Sequence, residues 1–181
     1  MAQAENTLTF RVATPEDIPA ILPLIQSAYR GDASRAGWTT EADLVVGDRI
    51  DHAGVLEKMQ EPLGVILLGH DHAGVLTACC EILKREDGPG YFGLFAVDPQ
   101  RQAGGFGKQV LAAAEAYAKQ TMGIERLEMQ VIFLRDSLIA WYERRGYVKQ
   151  DYTRPFPYGQ LTEGARALRD DLYFSILIKE L

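Results

Sequence analysis

The chain has 181 residues and a mass of 20.1 kDa, a length typical of one domain. Hydrophobic residues make up 47% and charged residues 24%, which excludes a globally disordered chain. The net charge of −6 argues against nonspecific binding to nucleic acid. The first residues lack a secretory signal, and no apolar stretch reaches the length of a membrane span. We therefore expect a cytoplasmic protein with no nucleic-acid or membrane partner; its oligomeric state is open, and a homodimer is one alternative.

Apolar periodicity and turn residues predict a single α/β domain over residues 1–181, with helices on both faces of a central sheet of about seven strands. In chain order we first predict a strand over 7–13, a helix from Pro15, a loop over 31–37, and a second helix from Glu41 capped by Thr39 or Thr40. Strands over 65–68, 75–84 and 91–97 follow, and then a helix that ends near Gln120. The last predicted elements are a strand over 125–132, a helix over 135–145, and strands over 147–153 and 172–178. The fourth strand, 91–97, is apolar at nearly every position, which indicates the middle of a covered sheet. The long connection over 155–171 is typical of a functional or mobile loop.

The segment between the fourth strand and the next helix carries the most informative motif, VDPQRQAGGFGK at residues 97–108. The first amides of a helix have no partner within the helix, and the aligned peptide dipoles place partial positive charge there. Glycines allow a phosphate to approach the backbone without meeting a Cβ. The turn therefore predicts a site for a phosphorylated cofactor; a helix that starts on a flexible turn is the alternative.

Two common phosphate-binding motifs fit this turn poorly. A P-loop requires Ser or Thr after Gly107-Lys108, where the chain has Gln109, and a glycine at the position of Gln102. A dinucleotide-binding fingerprint requires a third glycine at the position of Val110, and it normally follows the first strand of its domain. Neither motif is favoured.

The pattern that does fit is Gln/Arg-x-x-Gly-x-Gly/Ala, formed by Gln102, Gly105 and Gly107 after a strand that ends in Val-Asp-Pro. A second motif, AWYERRGY at residues 140–147, places Tyr142 on a short helix before another strand. Together and in this order the two motifs resemble the GNAT superfamily of N-acetyltransferases, over nearly the whole chain. The resemblance implies a GNAT-like mixed sheet, acetyl-CoA as cosubstrate, and transfer of its acetyl group to an amine.

The resemblance also implies roles for residues along the coenzyme. In the family, the strand before the glycine turn splays from its neighbour, and a backbone N–H near Val97 points at the thioester carbonyl as an oxyanion donor. Tyr142 corresponds to the family tyrosine that protonates the leaving thiolate, and a core aromatic is its alternative interpretation. Val97 and Tyr142 are thus the implied catalytic residues. The implied coenzyme-binding residues are Phe95, Ala96, Val97, Gln102, Ala103, Gly104, Gly105, Phe106, Gly107, Lys108 and Tyr142.

The general base is where the chain departs from the family pattern. Some members have a glutamate at the position that Tyr91 occupies here. Glu81, Glu128, a water chain or an amine that arrives neutral are the alternatives, and either carboxylate is equally suited to a solvated or salt-bridged position. Arg135 stands where many members have an asparagine that contacts the pantetheine. A guanidinium there suits a phosphate, a substrate carboxylate or the protein surface.

The acceptor pocket of the family forms from the loop around the first two helices and the connection before the last strand. The residues at these places that we predict to bind the substrate are Tyr29, Trp38, Glu41, Phe156 and Tyr158. An aromatic wall with one carboxylate suits a small amine. The same residues are equally suited to packing the two loops against each other.

Histidines and cysteines do not predict further chemistry. His70 and His72, on a turn beside Asp71, lack the ligand spacing of a metal site, so we predict no metal. Adjacent Cys79 and Cys80 alternate faces on a strand, so one of them is predicted to lie in the core. They support neither a disulfide framework nor a catalytic thiol.

These patterns together predict an acetyl-CoA-dependent N-acetyltransferase that acts by direct transfer on a primary amine of a small metabolite, an amino acid or a peptide. The alternative is a degenerate domain that binds an acyl-CoA in a regulatory or structural role. Tyr91 in place of the glutamate keeps that alternative open, whereas Gln102, Gly105, Gly107 and Tyr142 favour the enzyme. The residues do not identify the acceptor or the acyl length.

Overall fold

The computed structural model describes residues 6–181, so part of the segment on which the prediction about a secretory signal rests lies outside it. The strands are β1 (Thr9–Val12), β2 (Val45–Val46), β3 (Gly64–His70), β4 (Leu76–Leu83), β5 (Gly90–Val97), β6 (Arg126–Ile132), β7 (Val148–Pro155), β8 (Arg166–Ala167) and β9 (Tyr173–Glu180). The helices are α1 (Ile18–Tyr29), α2 (Gly31–Ser34), α3 (His52–Gln60), α4 (Phe106–Gln120) and α5 (Asp136–Glu143).

Seven strands form one mixed sheet in the order β1-β3-β4-β5-β6-β9-β7. The neighbouring strands β5 and β6 are parallel, and the other neighbouring pairs are antiparallel. β5 lies in the centre of the sheet, as its apolar residues predict. β2 and β8 form a separate two-stranded ribbon. The predicted α/β class and the predicted number of sheet strands are therefore confirmed.

Helices cover both faces of the sheet, and each face has its own apolar cluster. On one face α1 and α3 contribute side chains such as Ile21 and Val55, which pack with Cys79. On the other face, α4 and α5 contribute side chains such as Val110, which pack with Cys80. Cys79 and Cys80 are both buried, because successive strand residues point to opposite faces and both faces are covered.

The predicted helix from Glu41 is wrong. One turn does form there, with the amides of Leu44 and Val45 donating to the Glu41 carbonyl at 2.9 and 3.0 Å. The chain then leaves this turn, because Val45 pairs with Ala167 in the β2–β8 ribbon. The next long helix is α3, whose first turn is capped by the Asp51 carboxylate.

The structure also refines the two predicted loops. Residues 31–37 were predicted as a loop, and they contain the four-residue helix α2. The long connection between β7 and β9 contains a one-turn helix, Tyr158–Gln160, and the short strand β8. The ribbon that β8 forms with β2 joins this connection to the segment that follows α2.

Candidate active site

A gap opens in the centre of the sheet between β5 and β6. The two strands pair at Gly90↔Leu127 and Tyr91↔Glu128 and then diverge. The divergence leaves a cavity of about 300 Å³, lined by residues 91–95 and 97 of β5 and 129–131 of β6. Residues of α1, α5, β9, the loops after α2 and β2, and the glycine turn form the rest of its walls.

A bulge bends β5 where the strand borders this cavity. Between the pairs Cys79↔Ala96 and Glu81↔Gly93, two residues of β5 lie opposite one residue of β4. Leu94, one of these two residues, has a φ of 44°, a conformation that is uncommon for a residue with a Cβ. Backbone strain of this kind clusters at functional sites, and no sequence pattern of the strand signalled it.

The glycine turn forms one end of the cavity. Gly105 is the N-cap of α4 with a φ of 77°, and a Cβ added there would meet nothing within 4 Å. Gly107 follows in the first helical turn and also lines the cavity. The free amides and the positive dipole end of α4 therefore border open space, an arrangement that fits a phosphate group.

Gln102 connects the glycine turn to two other walls of the cavity. Its side-chain oxygen accepts a hydrogen bond from the Trp38 amide at 3.0 Å. Its side-chain nitrogen donates to the Thr39 hydroxyl at 2.8 Å and to the Val97 carbonyl at 3.3 Å. The glutamine of the motif thus fixes the end of β5 and the loop that follows α2.

Arg145 is a cation at this end of the cavity that the sequence analysis missed. Its guanidinium carbon lies 3.6 Å from the centre of the Trp141 ring, and its Nη1 donates to the Trp141 carbonyl at 2.8 Å. Its Nε is buried and has no hydrogen-bond partner among residues 6–181. Burial and the neighbouring Arg144 lower the pKa of Arg145. Lys108 lines the same cavity, so two cations accompany the glycine turn.

Tyr142 lies on α5, packed among aromatic rings and bordering the cavity. Its ring centre lies 5.1 Å from that of Trp141, 5.8 Å from Tyr147 and 6.4 Å from Phe95. Its hydroxyl has no hydrogen-bond partner within the described part of the chain. Burial raises the pKa of the phenol well above its usual value, so the hydroxyl is protonated at neutral pH. The ring is a core aromatic, and the residue also lines the cavity.

Glu41 lines the cavity with both carboxylate oxygens already bound. They accept hydrogen bonds from Arg30 and Arg135, each at 2.7 Å. Arg135 also donates to the Thr39 carbonyl. Burial acts to raise the pKa of Glu41, but three neighbouring arginines outweigh burial and lower it. The sequence predicted a carboxylate available to an amine, whereas in the structure Glu41 is held in ion pairs with two arginines.

Arg49, a second cation that the sequence analysis missed, lies on the same side as Glu41. Its guanidinium carbon is 5.4 Å from the centre of the Tyr29 ring, and it lines the cavity. Tyr29 is buried, lines the cavity, and donates its hydroxyl to the Phe95 carbonyl at 2.6 Å. Arg49 stands in an irregular loop after β2, where neither spacing nor a motif marks it.

The two candidate general bases lie in salt bridges outside the cavity lining. Lys58 donates to both oxygens of Glu81 at 2.9 Å. Glu128 pairs with Arg85 at 3.1 Å and with Arg154 at 3.3 Å. The interpretation of both carboxylates as salt-bridge partners is therefore the one that the structure supports.

Some residues predicted to bind the coenzyme or the acceptor do not line the cavity. They are Ala96, Ala103, Gly104, Phe106, Phe156 and Tyr158. Ala96 and Phe106 are buried in the clusters on opposite faces of the sheet. Phe156 packs against Leu172, whose amide donates to the Tyr158 hydroxyl at 2.8 Å. Phe156 borders a separate cleft of about 110 Å³ instead.

Neither the turn around Asp71 nor the two cysteines line the cavity. Asp71, between the two histidines of the turn, accepts hydrogen bonds from Arg101 and from the amides of Ala73 and Val75. Burial raises the pKa of the Cys79 thiol to about 12. In residues 6–181 no group of three or more His, Cys, Asp or Glu side chains is arranged to hold a metal ion. Within that same range no helix combines the length and apolarity of a membrane span.

Comparison with known proteins agrees with this geometry. A sequence model described as the acetyltransferase (GNAT) family matches residues 19–147. The chain belongs to this family. Mycothiol acetyltransferase from Salinispora arenicola is 31% identical over 144 residues, which cover 77% of this chain and 43% of that protein. The chain thus spans less than half the length of this relative.

Solved structures share the GNAT fold at low sequence identity. A mutant of spermidine N-acetyltransferase from Vibrio cholerae superposes with a TM-score of 0.69 at 12% identity, covering 96% of this chain and 93% of that one. A GNAT-family acetyltransferase from Staphylococcus aureus superposes with a TM-score of 0.65 at 11% identity, covering 97% and 99%. These likenesses confirm the GNAT fold that the two motifs predicted.

Proposed function

We propose that the protein is an N-acetyltransferase that moves the acetyl group of acetyl-CoA directly to a primary amine of a small metabolite, an amino acid or a peptide. One observation carries the proposal: a single cavity between β5 and β6 is bordered by the glycine turn, by cations and by Tyr142. Family membership supports an acyltransferase that uses acetyl-CoA. A cavity that opens through the sheet lets the two substrates meet without a covalent intermediate on the protein.

The glycine turn suits the phosphates of the coenzyme, which when bound supplies an acetyl group activated as a thioester. Backbone amides from Gly105 to Lys108 are the donors available to the phosphates. Lys108 and Arg145 line the same end and add positive charge. The buried Nε of Arg145 has no partner among the described residues, as expected of a donor kept for a ligand.

The end of β5 is suited to orient the acetyl group. In our proposal the backbone N–H of Val97 stabilises the negative charge that develops on the thioester oxygen. The side chain of Gln102 holds the Val97 carbonyl, and the Asp98 amide donates to the Thr77 carbonyl at 2.9 Å. These bonds restrict the peptide groups around Val97, and a fixed donor loses no free energy to reorganisation during the reaction.

Positive charge around the cavity suits the supply of a neutral amine. Among the described residues, the cavity lining contains four cations and one carboxylate: Lys108, Arg49, Arg135 and Arg145, and Glu41. Nearby cations lower the pKa of an ammonium group, and the deprotonated amine is the form that attacks. We therefore propose that the proton leaves through water, because Glu81 and Glu128 are engaged in salt bridges.

Tyr142 is the proposed acid for the departing thiolate. Its hydroxyl is protonated at neutral pH because burial raises the pKa of the phenol. It has no hydrogen-bond partner in residues 6–181, so it is free to donate to a ligand in the cavity. Its aromatic neighbours, such as Trp141, keep the ring in place.

The test is an acetyl-CoA assay with a broad panel of primary amines, read out by release of the free thiol and by mass spectrometry of the acetylated product. We expect acetyl-CoA to bind and at least one class of amine to be acetylated. Binding without transfer to any amine would favour the degenerate acyl-CoA-binding domain. If acetyl-CoA does not bind, both the proposed enzyme and the degenerate acyl-CoA-binding domain are overturned. A cytoplasmic location remains part of the proposal and rests on composition alone.

A further inference from the structure

The acceptor side of the cavity contains one more guanidinium group than the ion pairs with Glu41 engage. Three guanidinium groups, those of Arg30, Arg49 and Arg135, lower the pKa of the single carboxylate of Glu41. Arg30 and Arg135 each donate to that carboxylate at 2.7 Å. Arg49 is left over, because both oxygens of Glu41 are already engaged.

The guanidinium of Arg49 lacks a hydrogen-bond acceptor. Among residues 6–181 no carboxylate, carbonyl or hydroxyl accepts a hydrogen bond from it, and its contact is with the face of the Tyr29 ring at 5.4 Å. A guanidinium has five N–H donors, and Arg49 is half-buried, so its donors are not enclosed by the protein. Arg49 lines the main cavity and the cleft of about 110 Å³ that adjoins it. Its donors therefore border the space that a ligand would fill.

The coenzyme phosphates do not account for Arg49. The glycine turn follows the last residue of β5, and Lys108 and Arg145 accompany it. Arg49 also lines the adjoining cleft with Phe156 and Leu161, which belong to the connection between β7 and β9. Neither Lys108 nor Arg145 lines that cleft. Arg49 thus lies on the side of the cavity that the acceptor loops form.

We propose that the acceptor amine also carries a carboxylate, as an amino acid does, and that Arg49 binds this carboxylate. This inference rests on the proposed N-acetyltransferase function. A guanidinium binds a carboxylate through two parallel hydrogen bonds, which fixes the orientation of the acceptor as well as its charge. The ion pair with Glu41 holds Arg135 beside the same space and adds positive charge to it.

The same charges disfavour a polycationic acceptor. Spermidine carries several ammonium groups, and binding them requires free carboxylates in the pocket. Among the described residues, Glu41 is the carboxylate that lines the main cavity, and two arginines bind it. Asp48 lines only the adjoining cleft, where Arg30 and Arg49 accompany it. The spermidine N-acetyltransferase from Vibrio cholerae shares the fold at 12% identity, which leaves the acceptor chemistry of this chain independent of it.

The first experiment compares matched acceptors on the wild-type protein. Each of the nineteen standard amino acids that have a primary α-amine is assayed beside its carboxamide at saturating acetyl-CoA. Binding of the same probes to the CoA-loaded protein is measured by the shift in melting temperature. The carboxamide has the less basic amine, so chemistry alone favours it. We expect at least one amino acid to exceed its carboxamide about 10–100-fold in kcat/KM, the effect of one charged hydrogen-bonded pair.

The second experiment removes the guanidinium with Arg49→Gln and keeps the positive charge with Arg49→Lys. We expect Arg49→Gln to raise the KM of the preferred amino acid about 10–100-fold and to change the KM of its carboxamide little. Arg49→Lys should recover part of the loss, and the KM of acetyl-CoA should stay the same. Arg126→Gln removes the same charge from an exposed position that does not line the cavity and should change neither KM.

Several results would overturn the inference. They are equal kcat/KM values for amino acids and carboxamides, equal effects of Arg49→Gln on both, or no turnover and no melting shift with any carboxylate probe. Acetylation of amines without a carboxylate at kcat/KM values equal to or above those of every amino acid would remove this inference and leave the proposed function standing. Failure to bind acetyl-CoA would instead remove the proposed function itself.

Discussion

The two ends of the cavity are built by different means. At the coenzyme end the backbone supplies the main features, namely the left-handed Gly105 and the amides that begin α4. At the acceptor end long side chains from distant parts of the sequence supply them, as in the pair of Glu41 with Arg135, 94 residues apart. Backbone sites depend on a short run of residues, whereas side-chain networks depend on the complete fold.

This difference explains what the sequence predicted at each end. Gln102, Gly105 and Gly107 occur within six residues, so a motif could identify the turn, and the structure brings all three to the cavity. At the acceptor end, Tyr29, Trp38 and Glu41 do line the cavity, but Arg49 was missed. The experiments below test the two ends separately.

The largest expected effect comes from Tyr142→Phe at the coenzyme end. General acid catalysis contributes about 10²–10⁴-fold, so kcat should fall within that range while acetyl-CoA binding is kept, because phenylalanine preserves the ring packing. The raised pKa keeps the phenol protonated, so wild-type kcat should show no loss of this acid below a pH of about 10. Rates are measured under conditions where the chemical step limits kcat. Wild-type kcat in the variant would make Tyr142 a packing residue.

The next effect concerns stability at the acceptor end and comes from Glu41→Gln. Removing one member of a buried ion pair typically costs about 3–5 kcal/mol, because the charges of Arg30 and Arg135 remain without their partner. The pKa of Glu41 is lower in the folded state than in the unfolded state. The difference in stability between wild type and variant should therefore be complete above a pH of about 5 and shrink as the pH falls through the folded-state pKa.

Urea denaturation across this pH range measures that difference. Asp171→Asn is the matched control, because Asp171 pairs with Arg169 at an exposed position, and its denaturation midpoint should change little. A gap between wild type and Glu41→Gln that is independent of pH would contradict the buried ion-pair network.

A smaller effect is expected from Trp38, at the boundary between the coenzyme end and the acceptor end of the cavity. Trp38 was predicted to wall the acceptor, yet its ring lies 6.1 Å from that of Trp141 and its amide donates to Gln102. One aromatic contact is worth about 0.5–1.5 kcal/mol. We therefore expect Trp38→Ala to raise the KM of acetyl-CoA about 2–10-fold, and the KM of the acceptor less.

Steady-state kinetics, with acetyl-CoA and the acceptor varied separately, measures the two KM values and shows whether Trp38 acts on the coenzyme or on the acceptor. Ile21→Ala serves as the comparison, because Ile21 is fully buried and lines neither the main cavity nor the adjoining cleft. It should destabilise the protein by about 2–5 kcal/mol and leave both KM values near those of wild type. If Trp38→Ala raises the KM of the acceptor more than that of acetyl-CoA, Trp38 is part of the acceptor wall.

Two other features that the sequence did not predict have the same physical origin as the missed Arg49, because they depend on contacts between distant parts of the chain. The helix expected from Glu41 was replaced by a single turn, because pairing of β2 with β8 competes with local helix propensity. The bulge at Leu94 depends on how β5 pairs with β4, and apolar strand residues do not encode that register. By contrast, the sequence placed β5 correctly in the centre of the sheet, because burial on both faces requires apolar residues at nearly every position of the strand.

Calorimetric titration of acetyl-CoA against wild type, Gly107→Ala and Gly107→Glu tests the central claim most directly. Gly107 has an ordinary φ, and an added Cβ would lie 3.5 Å from Phe95 and 3.6 Å from Trp141, so the alanine fits. A carboxylate in the first turn of α4 favours the helix, so the fold should be retained in both variants. We predict acetyl-CoA binding by wild type and Gly107→Ala, and at least about tenfold weaker binding by Gly107→Glu, because like charges repel. Equal affinity in folded wild type and Gly107→Glu would contradict a coenzyme site at the glycine turn.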